Sequence, residues 1–110
     1  MDQLLTAEEL LAGTSVTYDV VIPVAMLGNN PEGTGNTRTI KIKPLSMGVF
    51  QLIMKGAREE PELIPVLMVK EGLAEPKLTI AQIKSLPVGL VEFIVERIRE
   101  LSGMTEKKKT

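Results

Sequence analysis

The residue types that most often carry chemistry are missing: the chain has no histidine and no cysteine. That removes the commonest general base, the commonest metal ligands and the thiol nucleophile together. An enzyme built from this sequence would have to run on carboxylates, lysine, serine or tyrosine. The aspartates are only Asp2 and Asp19, and the glutamates fall on polar helix faces or in the Glu59, Glu60, Glu62 cluster. A catalytic carboxylate pair needs a sheltered cleft to separate its two pKa values, and no acid here sits inside an apolar pattern. Gly28, Gly33 and Gly35 lie in a loop, but a phosphate loop should lead into a helix with Lys and Ser or Thr behind the glycines, and no lysine follows. The acids around Pro61 lack the alternating spacing of a calcium loop. Lys41, Lys43 and the run Lys107 to Lys109 are too sparse, without aromatic stackers, to read as a nucleic-acid surface. The expectation is a non-enzymatic chain with no metal and no cofactor, whose function is contact with other proteins.

Bulk properties agree with a folded domain. Apolar residues make up 44% and charged residues 25% of 110 positions, which suits one globular domain with its own core. With two Phe, one Tyr and no Trp, that core must be aliphatic and methionine-filled. The absence of cysteine suits a reducing compartment. The longest apolar run, Val20 to Leu27, is too short to span a bilayer and contains Pro23, and no secretory leader pattern opens the chain. Charge is uneven: five acids and no base precede Arg38, whereas thirteen bases and nine acids follow from there. This asymmetry favours contact between the two halves, or between copies, over binding to a polyanion.

The elements that must position any surface follow from the patterns. Residues 1–14 form a short amphipathic helix with a Thr6/Glu9 capping box, Leu10 and Leu11 on its apolar edge and Gly13 as its stop. Below three turns it needs a surface to dock on, either the domain's own core or a partner. Residues 15–27 are rich in β-branched side chains, with Val16, Tyr18, Val20, Ile22 and Val24 sharing a face, and Pro23, which lacks a donor, makes this strand either an edge or one that ends near it. After the loop 28–36, residues 37–44 alternate again, with Ile40 and Ile42 facing one way and Thr39, Lys41 and Lys43 the other. Together, 15–44 reads as a β-hairpin with a long, mobile tip. From Ser46, a good N-cap, the period becomes helical. Val49, Phe50, Ile53, Met54 and Ala57 form the stripe, and Met47 and Leu52 widen it enough to predict a central helix contacted from several sides. Pro65 opens the next helix, which runs to Glu71.

The stretch 66–87 holds the punctuation of the second half. Gly72 stands where a left-handed helix cap would sit, Pro76 forces Glu75 into extended geometry, and Thr79/Gln82 form another capping box. A short helix to Ser85 and a last helix from Val88 to Leu101, closed by Gly103, complete the chain. The fold class is therefore α+β: an N-terminal helix and hairpin, with a third strand added from a neighbouring chain, then about four helices over 46–102. Residues 1–103 make one domain and 104–110 a disordered tail. The surface assigned to partner contact lies on the hairpin and central helix, at Ile40, Ile42, Met47, Phe50 and Met54, where unbranched methionines can adapt to varied shapes.

The order of these pieces, TIKIKPLS, an apolar helix, VKEGLAEPKLTIAQIKSLPVG and a helix ending in ELSG, resembles the small tail assembly chaperones of long-tailed bacteriophages and prophages. The resemblance covers roughly residues 37–103 and rests on capping and turn residues. It implies a non-enzymatic protein of the host-cell cytoplasm that binds the tape measure protein, keeps it soluble and helps recruit tail tube subunits, often while self-associating. It also implies a gene with a programmed frameshift near its end, for which Lys107 to Lys109 suits an A-rich slippery run. Two other classes stay open: a structural tail subunit such as a tube or connector piece, and a small adaptor or regulatory protein of a mobile element.

Overall fold

The computed structural model describes residues 3–27 and 38–104. The hairpin tip and the C-terminal tail with its lysine run lie outside the described residues. The elements run α1 (Ala7–Ala12), β1 (Tyr18–Ile22), β2 (Arg38–Ile42), α2 (Met47–Gly56), α3 (Ile64–Gly72), β3 (Leu73–Glu75), α4 (Ile80–Lys84) and α5 (Val88–Leu101), an α+β fold. Single 3-10 turns follow α1, follow β1 and precede α3.

The sheet is antiparallel with β2 in the middle, order β1-β2-β3. Pairing of Tyr18 with Ile42, Val20 with Ile40 and Ile22 with Arg38 puts the apolar alternation on one face. The strand β1 lies at the sheet's edge and stops at Ile22, next to Pro23, where the sequence places an edge or an end. Pro23 has no N–H to continue the ladder, and its carbonyl instead accepts the Met26 N–H at 2.9 Å in a tight turn over Val24–Leu27.

The third strand comes from this chain, not from a neighbour. Leu73–Glu75, between the end of α3 and Pro76, pairs antiparallel with β2: Ile42 faces Leu73 and Lys41 faces Glu75, so Ala74 is the extra residue of a bulge. The Lys43 N–H donates to the Gly72 carbonyl at 2.9 Å and ties the end of α3 to the same strand.

Gly72 is not a left-handed cap. Among the described residues only Gly103 has positive φ, at 73°. What requires glycine at 72 is contact: a Cβ there would lie 2.6 Å from Ile98 Cδ1 and 3.0 and 3.1 Å from its Cγ1 and Cγ2. The missing side chain is what lets α3 approach α5. Gly103 does close α5 as expected. The Met104 N–H donates to the Arg99 carbonyl at 2.8 Å and the Gly103 N–H to Glu100 at 3.2 Å, the paired bonds of a Schellman stop.

Local caps follow the sequence closely. Glu9 N–H to Thr6 Oγ1 (3.1 Å) and Thr6 N–H to Glu9 Oε1 (2.9 Å) cap α1 in both directions. Thr79 and Gln82 repeat the arrangement on α4 at 3.1 and 2.9 Å. Ser46 Oγ accepts the Val49 N–H at 3.2 Å. Because α4 has only five residues and buries one of them, Ile83, its cap is a large part of what holds it. Thr79→Ala is expected to cost about 1 kcal/mol in urea unfolding with an unchanged m-value.

The core is aliphatic, as composition requires. Ile42, Val69, Ile83 and Ile98 are its largest fully buried side chains, joined by Ile22, Ile53, Met68, Leu73, Leu90 and Ile94. Its centre is the α3–α5 contact, with α2 and α4 packed on α3. The expected central role of α2 is thus a correction: of its residues only Ile53 is buried, and its wide apolar girth is left open. Nor does α1 sink into the core, since none of its residues is buried and Leu5, Leu10 and Leu11 are exposed.

Candidate partner-binding surface

The chemistry-bearing residues stay at the surface. Among the described residues no polar or charged side chain is buried, and no group of three His, Cys, Asp or Glu could hold a metal ion. The outer face of the sheet carries a row of charges, because Asp19, Lys41 and Glu75 stand opposite one another across three strands. Lys41 Nζ donates to Asp19 Oδ1 at 2.8 Å. That hydrogen bond, then the charge of Asp19 and more weakly that of Glu75, raise the lysine above its ordinary value. The pair is exposed on both sides, so it is a solvated clasp on the hairpin, screened by salt.

The five residues assigned to partner contact divide. Ile42 has 0% exposure and belongs to the core; it cannot present a surface, because β2 is covered by strands on both edges and by helices on its apolar face. Ile40, beside it on that face, is half-buried and packs against the same cluster. Of the hairpin half of the predicted surface, Ile42 is therefore withdrawn into the fold and Ile40 only partly so. The α2 half stays outside. Met47 is 70% exposed, Met54 is 41% exposed and Phe50 between them is half-buried. At i, i+3 and i+7 they form one stripe along the helix, flanking the side that carries the buried Ile53. A shallow pocket of about 430 Å³ at its N-terminal end is lined by Met47 and Phe50 from α2 and by Met104 beyond α5. The Leu45 N–H, donating to Ser102 Oγ at 2.8 Å, fixes this corner.

Two surface features were not found from sequence. Leu52, 68% exposed, projects from another side of α2. Its apolar character was legible, but a core residue looks the same in sequence. The second is a groove of about 500 Å³ between the segment leading into α3, the end of α4 and the first turns of α5, with Val66, Ile83, Leu86 and Val91 in its lining. Segments some twenty residues apart build it, so no local spacing announces it.

No helix among the described residues is long and apolar enough to cross a membrane. Comparison with known proteins returns no matching family model, no similar curated protein and no similar solved structure.

Proposed function

We propose that this chain is a non-enzymatic tail assembly chaperone of a long-tailed bacteriophage or prophage. It acts in the host-cell cytoplasm, binds the tape measure protein and helps recruit tail tube subunits. The observation that carries the reading is the open apolar stripe Met47–Phe50–Met54 on α2. Two flexible thioether side chains around a ring suit an apolar helical client whose contact residues vary along its length. The resemblance over residues 37–103 supplies the identity of that client.

The test is co-expression with a tape measure protein, the long helical client that the resemblance implies. The intact chain is expected to keep that protein in the soluble fraction. The doubly substituted Met47→Asp, Met54→Asp chain should fold with an unchanged circular dichroism spectrum and fail to do so. Solubility that does not depend on the intact chain would end the chaperone reading.

One feature favours a second reading, a structural tail subunit. Among the described residues no strand lies beside the outer edge of β1, and β1 exposes Val21 and Tyr18, as a sheet continued into a neighbouring subunit would require. Purified particles decide between the two, because a chaperone leaves the finished tail and a subunit remains in it.

A further inference from the structure

The groove beside the start of α5 shares no residue with the α2 stripe and has a different character. Its floor is the fully buried Ile83, and Leu63, Val66, Val91 and the outermost apolar residue, Val88, form its walls. Val88 is 73% exposed although it opens the most amphipathic helix of the chain. It sits at the edge of the trough, and among the described residues its outer side is left open. Carboxylates ring this apolar surface: Glu60 and Glu62 on the side leading into α3, and Glu92 on α5. Among the described residues Lys84 is the only cation in the lining. All four are exposed, and neither ion pair among the described residues involves any of them.

An apolar trough with an acidic rim selects its occupant. An anionic segment would meet three carboxylates and one ammonium. A purely apolar one would leave the carboxylates unpaired at the edge of a water-excluding contact, which costs desolvation without return. A segment with aliphatic side chains on one face and lysine or arginine at its flanks satisfies both parts, filling the trough and pairing the rim. The volume, about 500 Å³, lies in the range of clefts that bury a small ligand, which is room for the aliphatic side chains of one short segment. We propose that this groove is a docking site for a basic amphipathic helix of another protein. The inference is independent of the tail-assembly reading, since it rests on the shape and charge of a surface that reading does not use.

The experiment uses two synthetic helical peptides, one with leucine at i, i+4 and i+7 and lysine elsewhere, the other with glutamate in place of lysine. Each is titrated into the full chain carrying labelled Ile, Leu and Val methyl groups. The lysine peptide is expected to bind and to shift the methyls of Val66, Ile83, Val88 and Val91, and the glutamate peptide to leave them in place. Joint Glu60→Lys, Glu62→Lys and Glu92→Lys substitution should weaken binding about tenfold or more. Val88→Asp is the decisive variant. It deletes an exposed apolar wall without touching the core and makes the rim more negative. Docking into the groove predicts weaker binding, whereas simple attraction of a cation to an acidic surface predicts tighter binding. Tighter binding to Val88→Asp, equal binding of both peptides, or methyl shifts elsewhere would overturn the proposal. So would self-association of the chain alone that perturbs these methyls, because it would give the groove to a second copy.

Discussion

Ile42→Ala is expected to lower the unfolding free energy by about 3–4 kcal/mol, while Met47→Ala leaves it within about 0.5 kcal/mol. Both residues look alike in the sequence, as apolar positions on an element assigned to partner contact, and the fold separates them. Ile42 is fully enclosed at the centre of the sheet, opposite Tyr18 on one strand and Leu73 on the other. Truncation there removes three methyl or methylene groups. It also leaves a void that neighbours held in two strand pairings cannot collapse to fill, so the cavity adds to the lost transfer energy. Met47 is mostly in water already, and its loss creates no void. Urea denaturation of the two variants measures the contrast directly, with the midpoint moving for Ile42→Ala and the slope preserved in both. The same pair tests function cleanly. A client-binding defect in Met47→Ala would be a surface effect, whereas a defect in Ile42→Ala would follow from unfolding. Equal stability of the two variants would show that β2 is not sandwiched as described.

What could be read from the sequence divides along the range of the interactions involved. Thr6/Glu9, Thr79/Gln82 and Ser46 were legible because a cap is written within three residues and closes on its own backbone. The alternation of β1 and β2 was legible for the same reason, and so was the Gly103 stop. Leu73–Glu75 shows in the sequence only as extended backbone before Pro76, because three residues are too few to show a period. Their partner, β2, lies some thirty positions earlier. The apolar girth of α2 was legible, but not whether anything covers it: Val49 and Met54 contribute alike to the pattern, and only packing against the core makes one of them half-buried and the other exposed. The N-terminal helix shows the same limit. Its cap forms as its letters require, yet its leucines remain outside the core. Of the candidate surface, the methionine stripe was therefore visible as residues and invisible as a surface, and the acidic groove was not visible at all.

Gly72 and Gly103 both stand at the end of a helix in the sequence, and alanine substitution is expected to separate them. Gly103→Ala places a Cβ in open space on a left-handed backbone, so the cost is conformational, about 1 kcal/mol. Gly72 has no positive φ, and its backbone accepts alanine; taken alone, the higher helix propensity of alanine would favour the change by up to about 1 kcal/mol. Packing opposes it. The new Cβ lands 2.6 Å from Ile98 Cδ1, and although that atom is the end of a side chain, Cγ1 and Cγ2 at 3.0 and 3.1 Å are fixed to the branched Cβ of a residue with 0% exposure. Ile98 has little room in which to turn, so α3 and α5 must separate. Separation in turn pulls on the Gly72 carbonyl, which holds the Lys43 N–H at the end of β2. Overpacking of this kind costs about 1–3 kcal/mol, which exceeds the propensity gain, so Gly72→Ala is expected to destabilise the chain. Coupling is the diagnostic. Ile98→Val removes Cδ1, the nearest obstacle, so Gly72→Ala should cost less in that background by about 1 kcal/mol, while Gly103→Ala should cost the same with either residue at 98. A Gly72→Ala penalty that ignores Ile98→Val would mean that glycine is needed there for its backbone after all, and the close approach of α3 to α5 would lose its explanation.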